Sequence, residues 1–289
     1  AKTLGKVKIS VAVAQDEGVM EAVKMAYDAG FADPILVGKA GKIKAIAQEL
    51  GFPEQTEIID VPDTDDAALK ATSLVREGKA RILMKGLINS SNFLRAALNK
   101  EYGLRSGKLL NHLMAFEIPG SDKLVFHTDG GMNIAPSLED KKQILINSIE
   151  ALYNMGIDCP NVAVLTANEQ VNPKMPATVD AAALVEMGRK HELPKCVIEG
   201  PIALDVALSP KAAAHKSIRS QVSGKVDLFL VPNIEAGNLF GKSLIYYAGA
   251  QAGGLILGAT NPIVLVSRNE SARGKFNAIA LACLALKRE

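Results

Sequence analysis

A hydroxyl beside a guanidinium is the strongest chemical signal in this sequence. Ser267 and Arg268 follow Pro262 to Val266, a short apolar run that is typical of a buried strand. A serine hydroxyl donates one hydrogen bond and an arginine offers a planar fork of donors, so together they suit phosphate or another oxyanion. Surface turns also contain this dipeptide, so it predicts an oxyanion site only in combination with other segments.

A second cluster contains Asn89, Ser90, Ser91 and Arg95. Hydroxyls and an amide at the start of a helix can bind phosphate, helped by the exposed N–H groups and the helix dipole. Arg95 lies one helical turn beyond Ser91 and is expected on the same side. Simple N-capping with a solvated arginine explains the same residues, and the sequence leaves both interpretations open.

Glycines mark places where a backbone must approach another group closely. Gly237 with Asn238, and the segment 249–254, could admit a phosphate or an extended ligand arm. Taken by themselves, these glycines favour close packing of a helix on a sheet over a ligand site. Ala14 to Glu17 follows the first predicted strand without a glycine fingerprint, so a dinucleotide or nucleoside triphosphate site of the standard kinds is not expected.

The four histidines give no metal signal. His112, His127, His191 and His215 are not paired at the spacing of metal ligands, so no metal site is expected. His127 comes just before Asp129 and two glycines at a strand end, which indicates either an active-site loop or a turn. No serine-hydrolase elbow is present.

Composition indicates an ordinary globular protein. The chain has 289 residues, 48% hydrophobic and 22% charged, with a net charge of +2. Its 4% aromatic content and lack of tryptophan argue against nucleic-acid binding. Three cysteines, far apart in sequence, predict reduced thiols and a cytoplasmic location. Neither a signal peptide nor a membrane-spanning segment is expected.

Alternating strand and helix patterns organise the first hundred residues. Four short apolar runs, beginning with Val7 to Ala14, each lead into a stretch of helical periodicity, which predicts a parallel sheet with helices on both faces. Ligands of such sheets bind beyond the carboxyl ends of the strands. Residues 85–91 are therefore expected at a binding edge. The mixed pattern after Leu109 indicates a second α/β domain before the chain returns to the first sheet.

These segments, in this order, resemble the phosphate acetyltransferase/butyryltransferase family, and the resemblance covers essentially the whole chain. It is carried by the following groups of residues: Lys85-Gly86 with Asn89 to Ser91 and Arg95; Phe126 to Asp129; Asp180; Glu199 to Asp205; Lys216; Ser223 to Lys225; Val231 to Asn238; Asn261-Pro262; and Ser267-Arg268. Each motif is weak alone, and the ordered set is specific. Chain length and the form of residues 86–91 are similar to the butyryl branch.

The resemblance implies reversible transfer of a short acyl group, butyryl first, between coenzyme A and inorganic phosphate. Coenzyme A and phosphate are substrates, and no cofactor is implied. The implied fold has two α/β domains with an interdomain cleft, as in isocitrate and isopropylmalate dehydrogenases, comprising residues 1–106 with 256–289, and 107–255. Ser267 and Arg268 would hold the phosphate or acyl phosphate, Arg95 would add a contact, and homodimers or higher homo-oligomers are expected.

One position departs from the acetyl branch, which has an aspartate seven residues after the motif serine. Here that position is Gly274, and Glu270 and Asp129 are candidate replacements as general base. An acetyl-preferring enzyme and a non-catalytic acyl-CoA-binding relative remain alternatives. A dehydrogenase of the related fold would need a dinucleotide signature and usually a metal cluster, which the sequence lacks.

Overall fold

The chain divides into two compact α/β units. The computed structural model describes residues 5–267 and 270–286. Unit 1 comprises residues 1–108 with 253–289, and unit 2 comprises 109–252. The boundaries inferred from the sequence differ from these by two or three residues.

Unit 1 alternates strands and helices over its first hundred residues as the sequence pattern predicts, whereas its strand at Gln251–Leu257 was not predicted. Its elements are β1 (Val7–Ala12), α1 (Glu17–Asp28), β2 (Ala32–Gly38), α2 (Ala40–Glu49), β3 (Glu57–Asp60), α3 (Thr64–Arg76), β4 (Ile82–Lys85), α4 (Ser90–Ala97), β10 (Gln251–Leu257, which begins two residues before the unit boundary), β11 (Ile263–Val264) and α10 (Ala272–Ala285). The strands are ordered β3-β2-β1-β4-β11-β10.

The sheet of unit 1 is parallel except at β10, which runs antiparallel to β11. The inner strands β1, β2 and β4 are almost wholly buried, and β1 has only Lys8 exposed, whereas the edge strand β3 has no buried residue. Residues of α1, α2 and α10 share one apolar core with β1 and β2. Burial on both faces explains why these strands are continuously apolar in the sequence.

Unit 2 has a mixed sheet. Its elements are β5 (Asn111–Glu117), β6 (Val125–Thr128), α5 (Leu138–Asn154), β7 (Asn161–Leu165), α6 (Pro176–Arg189), β8 (Val197–Ile202), α7 (Leu204–Leu208), α8 (Pro210–His215), β9 (Leu228–Leu230) and α9 (Ile234–Tyr246). The strands are ordered β5-β6-β9-β7-β8, with β5 and β6 antiparallel and the others parallel.

Three local expectations require correction. The sequence suggests Thr64 as a helix cap, whereas Asp63 accepts hydrogen bonds from the N–H groups of Asp65 and Asp66. The sequence pattern predicts a strand from Lys195 to Ile198, whereas β8 covers Val197–Ile202. In the described sheet β8 is an edge strand paired with β7, and an edge position tolerates Pro201 within the strand. The sequence pattern also predicts a helix near Gly241 to Gly249, whereas α9 covers Ile234–Tyr246.

Candidate active site

Three neighbouring parallel strands of unit 1 end at one edge of its sheet. Ala12 of β1 lies opposite Lys85 of β4, and Met84 of β4 lies opposite Val264 of β11. The chain leaving each strand therefore emerges at the same edge, as is usual for ligand sites in such sheets. We call residues 13–16, 86–95, 265–267 and 270–271 the carboxyl edge.

Each segment of the carboxyl edge leads into a helix N-terminus. Asp16 caps α1, Asn89 caps α4 with 2.8 Å from its side-chain oxygen to the Asn92 nitrogen, and Ser271 caps α10 at 3.1 Å from the Gly274 nitrogen. The first N–H groups of a helix have no partner within the helix, and the dipole favours negative charge there. The first turns of α4 and α10 contain no acidic residue, whereas α1 has Glu17.

The predicted cluster on α4 lies at this edge. Asn89 is exposed and uses its side-chain oxygen as the helix cap, which leaves its amide nitrogen as the side-chain donor. Ser90 and Ser91 are exposed in the first turn, and Arg95 is exposed one turn further along. No carboxylate among residues 5–267 and 270–286 pairs with the Arg95 guanidinium. The cluster therefore combines capping with unpaired donors, and the two interpretations of the sequence are compatible.

Ser267 lies on the same edge, two residues beyond the strand position opposite Lys85. Its side chain is exposed, and its carbonyl oxygen accepts a hydrogen bond from the Glu270 N–H at 3.1 Å. This turn leads the chain from β11 into α10. Arg268, the second predicted catalytic residue, lies outside the described residues.

Glu270 occupies the space above Gly274. A Cβ atom added at Gly274 would lie 2.7 Å from the Glu270 carboxyl carbon, so this glycine leaves room for the glutamate. The Glu270 carbonyl accepts a hydrogen bond from the ammonium of Lys275, a residue of α10 that is only 5% exposed. A carboxylate therefore lies beside position 274 at the start of α10, although residue 274 itself has none.

Gly237 and Asn238 belong to unit 2, within α9. A Cβ at Gly237 would lie 2.6 Å from the Gly130 Cα and 2.8 Å from a Val231 methyl group, so close packing explains this glycine without a ligand. Asn238 is exposed, and its amide nitrogen lies 3.5 Å from the Gly130 carbonyl oxygen. The sequence pattern predicts a helix only near Gly241 to Gly249, whereas Asn233 caps α9, which therefore includes both residues.

The Asp129 loop, residues 129–133, is organised by one buried carboxylate. Asp129 is 1% exposed and accepts hydrogen bonds from the N–H groups of Gly131 and Met132, both at 2.8 Å. Its other oxygen accepts from the Asn133 N–H at 3.2 Å and from the Asn133 amide at 2.6 Å. With four donors on its two oxygens, Asp129 serves as an anchor for the loop and is poorly placed to take a proton from a substrate.

His127 is a neutral core residue beneath this loop. It is 2% exposed, stacks on Phe116 with 5.1 Å between ring centroids, and has no hydrogen-bond partner for either ring nitrogen among the described residues. Burial, assisted by the neighbouring His112, lowers the pKa of His127 to about 3. Burial also lowers the pKa of His112, opposed by the charge of Asp129. A ring that stays neutral and enclosed does not serve as a proton shuttle.

Sequence reasoning missed a buried amide network beside this loop. Asn111 donates to Thr128 and Ser148, both at 3.0 Å, and accepts from Asn147 at 3.0 Å. The network connects β5, β6 and α5. Asn147 and Ser148 lie among the mainly apolar buried residues of α5, and this pattern in the sequence could have indicated the network.

Metal-binding clusters and membrane-spanning helices are both absent from residues 5–267 and 270–286. No group of three or more His, Cys, Asp or Glu side chains there could hold a metal ion. Among the same residues, every helix is too short or too polar to cross a bilayer.

Comparison with known proteins identifies related sequences and folds. A family model described as "Phosphate acetyl/butaryl transferase" matches residues 57–283. The chain is 48% identical to the phosphate butyryltransferase of Clostridium acetobutylicum, with 96% of this chain and 92% of that protein aligned. The structure of a branched-chain phosphotransacylase from Enterococcus faecalis is similar, with a TM-score of 0.85, 31% identity and coverage of 96% of this chain and 98% of that one.

A more distant structure shows the shared fold alone. The 4-hydroxythreonine-4-phosphate dehydrogenase of Burkholderia phymatum has a TM-score of 0.60 at 14% identity, covering 98% of this chain and 99% of that one. The predicted dehydrogenase-like α/β fold is thereby confirmed.

Proposed function

This chain belongs to the phosphate acetyl/butyryltransferase family, and we propose that it transfers a short acyl group, butyryl first, between coenzyme A and inorganic phosphate. The transfer is reversible and gives acyl phosphate and free coenzyme A. Coenzyme A and inorganic phosphate are substrates, and the proposal requires no cofactor or metal ion.

The observation that carries this proposal is the carboxyl edge of unit 1. The N-termini of α4 and α10 follow neighbouring strands there, and the first turn of neither helix contributes an acidic residue of its own, although the Glu270 carboxylate lies against Gly274 of α10. Exposed hydroxyls of Ser90, Ser91 and Ser267 accompany them. Such an arrangement is suited to a phosphate group. In the proposed site, Ser267 and Arg268 hold the phosphate or acyl phosphate, while Asn89, the two α4 serines and Arg95 add contacts.

In the proposed mechanism, one substrate attacks the other directly in a ternary complex. The coenzyme A thiolate attacks the carbonyl carbon of butyryl phosphate, and a carbon–sulfur bond forms. The carbon–oxygen bond to phosphate then breaks, and phosphate leaves with the electron pair. Ser267 and Arg268 stabilise the negative charge that develops on the acyl and phosphate oxygens, and fixed positioning of both substrates contributes the rest.

The cysteines support direct transfer over a covalent acyl-enzyme. Burial raises the pKa of Cys283 to about 12, and burial followed by the nearby Cys159 raises the pKa of Cys196 to about 11. Thiols that remain protonated near neutral pH are poor nucleophiles. Cys159 is exposed, but it lies just before the amino end of β7 in unit 2.

Glu270 is the proposed base for the coenzyme A thiol. Its side chain fills the space above Gly274, next to the turn that contains Ser267. Asp129 is less suitable because four hydrogen-bond donors already occupy its oxygens. Gly237 has a packing role in this proposal, and Asn238 remains the candidate contact in unit 2.

We also propose a homo-oligomer, in the simplest case a homodimer. Helix α9 exposes Leu239 and Tyr246, which lie on one face at 70% and 81% exposure, and Tyr247 follows at 93%. Ile134 is 70% exposed, and its carbonyl accepts the Ile234 N–H at the start of this helix. An apolar stripe of this kind is typical of subunit interfaces. A cytoplasmic location fits the expected reduced thiols.

Phosphate-dependent release of free thiol from butyryl-CoA tests the function. Reactions with acetyl-CoA and without phosphate are run in parallel. Release that requires phosphate and is faster with butyryl-CoA supports the proposal, whereas faster release from acetyl-CoA assigns the chain to the acetyl branch. Folded protein that binds acyl-CoA without releasing thiol would be a non-catalytic relative, and release without phosphate would indicate thioester hydrolysis.

A further inference from the structure

Two of the three cysteines, distant in sequence, lie next to each other in unit 2. Cys159 and Cys196 precede β7 and β8, which are adjacent and parallel, with Asn161 opposite Val197. The Val197 N–H donates to the Pro160 carbonyl at 3.0 Å, so this pairing extends to the residues just before both strands. Cys196 is therefore opposite Pro160, one residue from Cys159.

This register places the two thiols within the range of a disulfide. Neighbouring strands lie about 4.8 Å apart and rise about 3.3 Å per residue, so Cα atoms offset by one residue across them are about 6 Å apart. Disulfides typically join Cα atoms about 4.4 to 6.8 Å apart. A bend at Asp158 and Cys159 takes Cys159 out of the regular strand, so the alternation of side chains between faces does not apply to it. Cys159 also contributes to the raised pKa of Cys196, which supports proximity of the two side chains.

A neighbouring tyrosine gives independent support for this proximity. The Tyr153 hydroxyl donates to the Lys195 carbonyl at 2.5 Å, which places its ring beside the start of β8. Burial raises the pKa of Tyr153, and the two thiols, Cys196 and then Cys159, raise it further. Tyr153, Cys159 and Cys196 therefore form one cluster at the amino ends of β7 and β8, apart from the residues assigned to acyl transfer.

The two thiols differ in access. Cys159 is exposed and Cys196 is half-buried, so an oxidant in solution meets Cys159 first. The third cysteine, Cys283 of unit 1, is 2% exposed, and its Sγ lies 3.9 Å from the Phe31 carbonyl oxygen. It provides a matched thiol without a neighbouring cysteine among the described residues.

We propose that Cys159 and Cys196 form a dithiol site that low-molecular-weight disulfides oxidise to an intramolecular disulfide. In the first step the Cys159 thiolate attacks one sulfur of the reagent, forming a mixed disulfide and releasing one thiolate. Cys196 then loses its proton and attacks the Cys159 sulfur, which breaks the mixed disulfide and releases the second thiolate; although its thiolate fraction is small, this attack is intramolecular, so proximity compensates. Overall, two protein thiols are oxidised and one reagent disulfide is reduced to two thiols. The site is independent of the proposed acyl transfer.

Native protein treated with the aromatic disulfide dithiobis(nitrobenzoate) tests this site. The expected result is release of two nitrothiobenzoate anions per chain, no retained adduct, and a Cys159–Cys196 disulfide among the peptides found by mass spectrometry. Cys196→Ser is expected to release one anion and to keep a stable adduct on Cys159. Cys283→Ser is the matched control and is expected to behave as the unsubstituted chain does.

Three results would overturn the proposal. In the unsubstituted, folded chain these are a stable adduct on Cys159 with Cys196 unmodified, a disulfide between two chains, or no reaction of Cys159. Because all three are observed in the unsubstituted protein, misfolding of a variant would not affect the conclusion.

Discussion

The carboxyl edge of unit 1 and the Asp129 loop of unit 2 are both rich in polar residues, but their polar groups have different partners. On the carboxyl edge, the Ser90, Ser91, Arg95 and Ser267 side chains are exposed, beside helix N-termini that retain unpaired N–H groups. In the loop, the oxygens of Asp129 accept four hydrogen bonds from the loop itself. Donors that have no internal partner are available to a substrate, whereas a saturated carboxylate stabilises the fold.

Glycines show the same contrast. Gly237 and Gly241 are enclosed, because a Cβ at Gly241 would lie 2.7 Å from the His127 Nε2 atom and one at Gly237 would meet the Gly130 backbone. At the carboxyl edge, Gly274 is also enclosed, but its neighbour is the flexible carboxylate of Glu270. A motif glycine can therefore mark either packing or a chemical group, and only its surroundings separate the two.

The largest effect is expected at the motif arginine. Arg268→Ala removes a charged donor from developing negative charge, and loss of one such donor typically costs about 2.7–4 kcal/mol, about 100- to 1000-fold in kcat. Steady-state rates with butyryl-CoA and phosphate, at saturating concentrations, measure this. Arg189→Ala is the control, since Arg189 is an exposed arginine on α6 in unit 2. Equal losses in both variants would contradict a specific role for Arg268.

A smaller effect, on the free energy of unfolding, is expected at Gly237, whose role in unit 2 is packing. Gly237→Ala places a methyl group 2.6 Å from the Gly130 Cα, so overpacking is expected to lower the free energy of unfolding by about 1–3 kcal/mol. Gly41→Ala in α2 is the matched control. Its Cβ would meet nothing within 4 Å, and alanine has the higher helix propensity. The free energy of unfolding of Gly41→Ala is therefore expected to be unchanged or higher by up to about 1 kcal/mol.

Urea unfolding measures both glycine variants. If Gly237→Ala instead raises KM for acyl-CoA in a protein of unchanged stability, Gly237 contacts substrate. The residues beside the Asp129 loop would then bind substrate, as those of the carboxyl edge are proposed to do, and would not serve packing alone.

The buried His127 predicts a pH dependence of stability. Its pKa falls from 6.5 to about 3 in the folded state, so the unfolded chain binds one more proton between these values. The free energy of unfolding should therefore fall by about 1.4 kcal/mol for each pH unit as pH decreases through this window, from this residue alone. His127→Leu is expected to reduce the slope between pH 6 and pH 5 by about this amount, as measured by urea unfolding at several pH values. An unchanged slope would show that His127 is accessible to protons in the folded protein.

Local pattern was sufficient to predict the first four strands of unit 1 with the helices that follow them, and a helix over Leu138–Asn154, because apolar periodicity and capping residues lie close together in sequence. It did not predict β10, since glycines at 253 and 254 obscure the strand pattern of Gln251–Leu257. The same reasoning predicted that segments following β4 and β11 contain candidate phosphate ligands, since carboxyl ends of parallel strands share an edge. Three features could not be predicted from the sequence. They are the four hydrogen bonds accepted by Asp129, the contact of Glu270 with Gly274, and the proximity of Cys159 to Cys196. Each of these depends on contacts set by strand register or loop closure.

The smallest effect is expected at Glu270, and it distinguishes the base from the groups that stabilise charge. If the coenzyme A thiol resembles a cysteine, its pKa is about 8.5, so about a tenth is already ionised near pH 7.5 and a base gains at most about 1.4 kcal/mol, or tenfold. Glu270→Gln preserves the backbone hydrogen bonds to Ser267 and Lys275, so the turn should remain folded.

The rate of butyryl-CoA formation from butyryl phosphate, measured against pH, tests this assignment. The deficit of Glu270→Gln should be largest near pH 7 and should close by about pH 9, where the thiol ionises without help. A deficit that stays constant across this range would mean that Glu270 positions the Ser267 turn and takes no proton. A loss as large as that of Arg268→Ala would reverse the order of importance between charge stabilisation and thiol deprotonation at the carboxyl edge.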